Sequence, residues 1–273
     1  MDILKEDFMQ GFIDIATEGY KKGWHERNGG NLSYRIKPEE AERIKGCFSY
    51  DRPFQEIGRA VPNIGGEYFL VTGSGKYFRN IEKNPSENLA VIEIDEAGEK
   101  YRVVWGLSKG GRPTSELPTH LMNHSVKKEL TQGRHRIIYH SHPANIIALT
   151  FVLPLEDAAF SREIWEMITE CPIVFPEGIG VVPWMVPGGC EIAEVTAKLM
   201  EKYNVVLWAH HGIFCSEEDF DSAFGLIETV EKAAEILVKV LSMSDGKRQT
   251  ITAQDIRNVA VAYYVKINED LLK

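Results

Sequence analysis

Short apolar, β-branched runs alternate along this 273-residue chain with longer stretches whose apolar residues recur every three or four positions. Runs of the first kind predict strands, and stretches of the second kind predict helices. This alternation favours a layered α/β architecture in which helices cover both faces of a sheet. The predicted strands are 32–36, 68–72, 90–95, 101–105, 136–142, 173–174, 180–182 and 205–209, and the predicted helices are 8–20, 115–130, 146–152, 191–203 and 220–241.

The stretch 37–66 interrupts this alternation. It is polar and contains Pro38, Pro53 and Pro62, so it predicts an irregular excursion without regular elements. The sequence has no internal repeat and no low-complexity segment. We therefore expect the excursion to belong to the same domain as the rest of residues 1–273, and not to link two domains.

Composition narrows the classes of partner. The chain has 31 Lys and Arg against 40 Asp and Glu, a formal net charge of −9, and its scattered basic residues argue against a nucleic-acid partner. The longest apolar stretch, 146–155, is about half the ~20 residues of a spanning helix and contains Pro154, so we expect no membrane partner. The first residues are acidic, whereas a signal peptide begins with basic residues. The four cysteines lie far apart, which is not the pattern of a disulfide-rich secreted protein. We expect a cytoplasmic protein.

Histidines mark the first candidate site. His140 and His142 are separated by one residue at the end of a predicted strand, so their side chains would point to the same face. Such a pair has a chance expectation of roughly 0.2 in this composition, so it could equally be structural. His210 and His211 also follow an apolar strand and precede Gly212, and one of the two is expected to be a bystander. Three imidazoles with open positions are typical of catalytic zinc.

Glu116 has two interpretations. It stands at the start of a predicted helix, where the backbone dipole favours an acidic residue regardless of function. A lone carboxylate beside a metal-bound carbonyl could instead act as a general base that removes an acidified α-proton. The local sequence does not choose between the two.

The glycine loop 73–76 is the candidate phosphate site. It departs from both the P-loop and the dinucleotide-binding patterns, because Leu70, Tyr77 and Phe78 replace residues that these patterns require. A nest of backbone N–H groups and a hydroxyl could still hold one small phosphate, although a tight turn explains the same pattern. Neutral donors that could join such a site are Asn28, Asn31, Thr114 and Ser115.

Taken together, five motifs occur in the order and spacing of the class II sugar-phosphate aldolases, and the sequence resembles this family over nearly its whole length. The motifs are 28–31, 71–76, 114–118, 140–145 and 211–212. The resemblance implies a single domain with three α/β/α layers around a central mixed, mostly antiparallel sheet. It also implies a homotetramer with fourfold cyclic symmetry, active sites at subunit interfaces and one Zn²⁺ per subunit.

The resemblance also implies roles for individual residues. Zinc would be held by His140, His142 and His211. Glu116 would be the catalytic base. Glu170 would act in the active site of the neighbouring subunit, where it would handle the proton of the aldehyde oxygen. The doublet that includes His210 departs from the family pattern, and the tail 251–273 matches only loosely. The implied phosphate-binding residues are Asn28, Gly29, Asn31, Ser74, Thr114 and Ser115.

Within the family, the sequence is most similar to the branch that cleaves L-rhamnulose 1-phosphate reversibly to dihydroxyacetone phosphate and L-lactaldehyde, a step of L-rhamnose degradation. Cleavage between C3 and C4 of a ketose phosphate leaves an enediolate, whose charge a divalent cation stabilises. The alternatives are fuculose-phosphate cleavage or ribulose-phosphate epimerisation by the same chemistry. A zinc hydrolase of the amidohydrolase-barrel type and a non-enzymatic metal-binding scaffold also stay open.

Overall fold

Nine strands form one mixed sheet in the computed structural model of the protein, which describes residues 2–273. The strand order across the sheet is β2-β5-β4-β3-β1-β6-β9-β8-β7. Only β7 and β8 pair in parallel, and all other neighbours are antiparallel. The strands are β1 (Asn31–Arg35), β2 (Gln55–Glu56), β3 (Tyr68–Thr72), β4 (Leu89–Ile94), β5 (Lys100–Gly106), β6 (Ile137–Ser141), β7 (Ile179–Val182), β8 (Val205–Trp208) and β9 (Gly212–Glu217).

Helices cover both faces of this sheet. Helices α1, α5, α6 and α9 share one apolar core with the first face, whereas α4 and α8 pack against the second face and against each other. The predicted three-layer α/β/α architecture is therefore confirmed. The helices are α1 (Asp7–Lys21), α2 (Pro38–Ile44), α3 (Pro85–Asn88), α4 (Leu117–Leu130), α5 (Ala144–Leu149), α6 (Asp157–Trp165), α7 (Cys171–Val174), α8 (Cys190–Met200), α9 (Phe220–Met243) and α10 (Ala253–Ala262).

Strand β4 shows how the sequence directs the two layers. Leu89 and Val91 contribute to the core beneath α1 and α9, whereas Ala90 and Ile92 contribute to the core beneath α4. All four side chains are fully buried. Since successive residues of a strand point to opposite faces, a continuous apolar run is what a strand covered on both sides requires.

The stretch 37–66 is more regular than predicted. It contains helix α2, which begins at Pro38, and strand β2, which extends the sheet beyond β5. The prediction treated prolines as breakers, but a proline in the first turn of a helix has no hydrogen bond to lose. Glu40 stabilises the same turn, because its carboxylate accepts a hydrogen bond from the backbone N–H of Lys37 at 2.9 Å.

Two further differences from the predicted elements affect the site. The predicted strand 173–174 is wrong, because these residues lie in helix α7 with Pro172 in its first turn. Strand β9 was not predicted, although it pairs with both β6 and β8. Because β9 lies between β6 and β8, the turn that joins β8 to β9 lies beside the end of β6.

No helix among residues 2–273 combines the length and the apolar character needed to span a bilayer.

Candidate active site

Three histidines from two chain segments meet at one end of the central strands. His140 is the fourth residue of β6, His142 follows the end of that strand, and His211 lies in the turn between β8 and β9. The ligand-capable nitrogens of the three rings all lie within 4.8 Å of one another. The pairing of β9 with both β6 and β8 explains this proximity, because it places the β8–β9 turn next to the end of β6.

Gly212 permits the close approach of the two segments. A Cβ atom at this position would lie 2.5 Å from the carbonyl oxygen of Ser141, 2.7 Å from the His142 ring and 2.9 Å from the His140 ring. Real Cβ atoms are essentially never closer than 3.0 Å to such neighbours. Glycine is therefore required where the turn passes the histidines.

The hydrogen bonds of the rings fit a metal site. His140 donates from Nδ1 to the carbonyl oxygen of Ile213 at 3.0 Å, and His142 donates from Nδ1 to the Glu26 carboxylate at 2.8 Å. Burial holds the pKa of His140 well below its usual value, so its ring is neutral. Nε2 of His140 therefore carries a lone pair, and it lies 3.2 Å from Nε2 of His142. A nitrogen lone pair that faces two further imidazoles suits a divalent transition metal.

His210 is held outside this cluster. Its backbone is left-handed, with φ at 60°, and its Nδ1 donates to the hydroxyl oxygen of Thr150 at 2.9 Å. Its ring also packs 4.2 Å from the ring of Phe151. Of the two neighbouring histidines, the structure therefore brings His211 to His140 and His142. Burial, together with His142, lowers the pKa of His211 to about 4, which keeps it available as a neutral ligand.

Glu116 points at the histidines. It occupies the position before α4, but its side chain makes no capping hydrogen bond to that helix, so the dipole interpretation does not describe its contacts. Its Oε2 lies 3.6 Å from Nε2 of His140 and accepts a hydrogen bond from the side-chain amide of Asn31 at 2.8 Å. Burial raises the pKa of Glu116 to about 7, although the Asn31 bond acts in the opposite direction. A carboxyl group with such a pKa can exchange protons near neutrality.

The six predicted phosphate-binding residues share one cavity with Glu116. This cavity has a volume of about 220 Å³ and reaches two of the histidines. The residues that line it are Asn28, Gly29, Gly30, Asn31, Gly73, Ser74, Gly75, Thr114, Ser115, Glu116, His142 and His211.

The hydrogen-bond donors that this cavity offers differ from the nest of backbone N–H groups considered for 73–76. The backbone N–H of Gly73 donates to the Asn88 carbonyl and that of Ser74 donates to the Arg112 carbonyl, both at 2.8 Å, so neither is left for an anion. Of the two interpretations of 73–76, these bonds support the tight turn, because the two N–H groups hold the loop to its neighbours. Side-chain hydroxyls, such as those of Ser74 and Ser115, are the neutral donors that the cavity offers.

Glu170 lies elsewhere. It stands exposed before helix α7, and it is absent from the residues between 2 and 273 that line the cavity of this chain. A second cavity of about 690 Å³ shares His142 and His211 with the first. Its apolar wall includes Ile147 and Phe151, the latter 69% exposed.

Sequence reasoning missed three residues around the site. Glu26 orients His142, His25 bonds to the carbonyl of Gly29 at 3.0 Å, and His120 bonds to Asn31. None of the three lies within the five motifs that carry the resemblance to the aldolases. His25 and Glu26 shortly precede the motif 28–31, whereas only the topology brings His120 to Asn31.

Comparisons with known proteins agree with this geometry. Residues 10–238 match the family described as "Class II Aldolase and Adducin N-terminal domain". The rhamnulose-1-phosphate aldolase of Mannheimia succiniciproducens is 48% identical over 264 residues, which cover 97% of each chain. That of Pectobacterium atrosepticum is 46% identical over 254 residues, or 93% of this chain and 92% of the relative.

A solved structure agrees with the family. The sugar-phosphate aldolase from Thermotoga maritima has a TM-score of 0.73 at 30% identity, covering 86% of this chain and 95% of its own. An L-fuculose 1-phosphate aldolase, 22% identical, shares the fold with a TM-score of 0.60 over 95% of this chain and 97% of its own. By sequence and by fold, the chain belongs to the class II aldolase family and is a lyase.

Proposed function

We propose that the protein is a zinc-dependent aldolase that cleaves L-rhamnulose 1-phosphate reversibly to dihydroxyacetone phosphate and L-lactaldehyde. The observation that carries this proposal is the shared cavity: a carboxyl group 3.6 Å from the histidine cluster opens onto the same space as a set of neutral hydroxyl and amide donors. Near-full-length identity to rhamnulose-1-phosphate aldolases supports this substrate. The reaction would serve L-rhamnose degradation.

His140, His142 and His211 are the proposed zinc ligands. The lowered pKa values of His140 and His211, which keep these two rings neutral, and the facing Nε2 atoms of His140 and His142 support this assignment. A zinc ion held by three imidazoles acts as a Lewis acid, which polarises a substrate carbonyl and stabilises the negative charge that develops on its oxygen. Glu26 and the Ile213 carbonyl fix the ring orientations by accepting the Nδ1 protons.

The chain's own groups would move the protons. When the C3–C4 bond breaks, its electron pair passes to the C2 carbonyl, and the proton of the C4 hydroxyl passes to Glu170 of a neighbouring subunit as the aldehyde forms. Glu116 then delivers its proton to C3, and in the synthetic direction it removes that proton from dihydroxyacetone phosphate. A raised pKa near 7 supports this exchange.

The phosphate would be held by neutral groups. The proposed residues are Asn28, Gly29, Asn31, Ser74, Thr114 and Ser115, all of which line the 220 Å³ cavity. Binding energy at this remote end fixes the reacting carbons relative to Glu116.

The proposed assembly is a cytoplasmic homotetramer with fourfold symmetry, in which each chain forms one domain. One continuous nine-stranded sheet supports the single domain. Exposure of Glu170, away from the cavity of its own chain, supports a role across a subunit interface. Sedimentation velocity at micromolar concentration tests the assembly: a monomer that is active at the same concentration would contradict the shared site.

Dihydroxyacetone phosphate release from L-rhamnulose 1-phosphate tests the function. The enzyme is assayed as purified, after chelation, and after addition of zinc or magnesium. We expect release that chelation abolishes and zinc restores. If zinc-loaded protein releases nothing from this sugar but acts on L-fuculose 1-phosphate, the substrate is wrong and the reaction class is right. Release that survives complete metal removal would contradict the role of the histidines.

A further inference from the structure

A continuous chain of buried hydrogen bonds leads from Glu116 into the protein interior. Glu116 accepts from Asn31 at 2.8 Å, and the Asn31 amide oxygen bonds to Nε2 of His120. Nδ1 of His120 lies 2.6 Å from the hydroxyl of Ser33, which lies 2.8 Å from Nε2 of His124. The chain crosses from β1 to α4 twice, and the mechanism above uses only its first two members.

Chemistry assigns one direction to these bonds. The Asn31 amide nitrogen lies toward Glu116 and donates to its Oε2, so the Asn31 oxygen faces His120. That oxygen needs a donor, which places the His120 proton on Nε2 and leaves Nδ1 as an acceptor for the Ser33 hydroxyl. The Ser33 oxygen then accepts from Nε2 of His124. Every donor in the chain therefore points toward Glu116.

Burial favours this direction over its reverse. His120 and Ser33 have no exposed surface and His124 is 1% exposed. Desolvation lowers the pKa of His120 to about 3, so its ring is neutral. Nδ1 of His124 is buried without a hydrogen-bond partner among residues 2–273. In the assigned direction this atom is an acceptor, whereas the reverse direction would leave a buried N–H without an acceptor. Buried N–H groups without a partner are rarer in proteins than buried acceptors without one.

We propose that His120 is a positioning residue for Glu116: by donating from Nε2 to Asn31, it fixes the amide orientation that presents an N–H to the Glu116 carboxylate. Ser33 and His124 fix the tautomer of His120. This inference rests on the proposed function, because it takes Glu116 as the catalytic base. Without the His120 donor, the Asn31 amide can rotate and turn its oxygen toward the carboxylate, which repels it.

Two substitutions separate positioning from packing. The amide nitrogen of a glutamine takes the place of a histidine Nε2, whereas that of an asparagine takes the place of Nδ1. His120→Gln therefore keeps a donor for Asn31, and His120→Asn removes it. Both variants are polar and smaller than histidine, so they are matched controls for the loss of packing.

The measurements are kcat, KM, zinc content and melting temperature. For His120→Asn we expect kcat to fall about 10- to 100-fold with KM within about threefold, because a misplaced catalytic group costs this much. His120→Gln should recover most of the loss, and zinc content should stay at one per subunit in both. Wild-type kcat in a folded, zinc-loaded His120→Asn protein would overturn the proposal.

A double-mutant cycle with Glu116→Gln tests the route of the effect. Since His120 acts through Glu116, His120→Asn should change the residual rate of Glu116→Gln less than about threefold. An equal loss in both backgrounds would mean a purely structural role. If His120→Asn does not fold, Ser33→Ala takes its place in the same cycle, since it removes the hydroxyl that fixes the His120 tautomer.

The tautomer itself is measurable without any substrate. Side-chain ¹⁵N shifts of the histidine-labelled protein at pH 7, assigned by comparison with the variants, should place the His120 proton on Nε2. A proton on Nδ1, or a doubly protonated ring, would overturn the proposal whatever the protein cleaves. A wild-type protein with the expected tautomer but without aldolase activity would instead count against the proposed function.

Discussion

Gly212→Ala tests whether the close approach of the β8–β9 turn to the histidines assembles the metal site. The added Cβ would lie 2.5 Å from the carbonyl oxygen of Ser141, while ordinary contact begins near 3.4 Å. One of the two backbones must therefore retreat by roughly 0.9 Å, a displacement that overpacked sites accommodate at about 1–3 kcal/mol. Because the same Cβ also meets the rings of His140 and His142, the retreat separates the ligands.

Two assays measure the consequences. A loss of 1 kcal/mol lowers the melting temperature by about 2–4 °C, so that of the metal-free protein should fall by roughly 2–12 °C. Zinc affinity, measured by competition with a chromophoric chelator, should fall about 10- to 100-fold, as when the groups that orient metal ligands are disturbed.

Gly225→Ala is the matched control. Gly225 lies within helix α9, and a Cβ there would meet no atom within 4 Å. Alanine in a helix interior is favoured over glycine by roughly 0.5–1 kcal/mol, so this variant should be slightly more stable and bind zinc normally. Wild-type zinc affinity and melting temperature in Gly212→Ala would refute the steric argument, as would equal losses in the two variants.

Three other perturbations have defined outcomes. Glu116→Gln should keep its zinc and lose about 10²- to 10⁴-fold in kcat as a general base is removed, and near-normal turnover would exclude that role. His142→Ala should lose zinc and activity together, whereas His210→Ala should keep its zinc, and elemental analysis measures the metal in both. Metal loss in His210→Ala but not in His142→Ala would make His210 the ligand and His142 the bystander. Burial lowers the pKa of Lys127 from 10.5 to about 8. Between pH 8 and 10.5 the unfolded chain therefore binds more protons than the folded protein, so the free energy of unfolding should rise with pH by up to ~3 kcal/mol. Lys127→Met should lose this rise in urea titrations at pH 7.5 and 10.5, and an unchanged pH dependence would contradict it.

Much of the fold could be predicted from local patterns. The continuous apolar run of β4 and the three- and four-residue spacing in α1 and α9 predicted those elements to within a few residues. The spacing of the apolar residues in each element indicates whether one face or both faces of that element are buried. The prolines misled the prediction at α2 and α7, because a proline in the first turn of a helix looks the same in sequence as one that ends it.

Pairing between distant segments could not be predicted in this way. Strand β9 follows directly on a turn, and its position between β6 and β8 depends on contacts across the sheet. The choice of His211 over His210 depends on the same pairing, together with the bond from His210 to Thr150. Motif resemblance indicated His211, but the local sequence treated the two as equals.

Sequence by itself determined the layered α/β class, most of the strands and helices, and a short set of residues with the right chemistry, because side-chain polarity and periodicity are local properties. Only the tertiary structure decided which of these residues meet. It joined the cavity residues from five chain segments, buried Glu116 beside His140 and connected Asn31 to His120. Burial, pKa and hydrogen-bond direction depend on neighbours that are distant in the chain, so they exist only once the sheet is assembled.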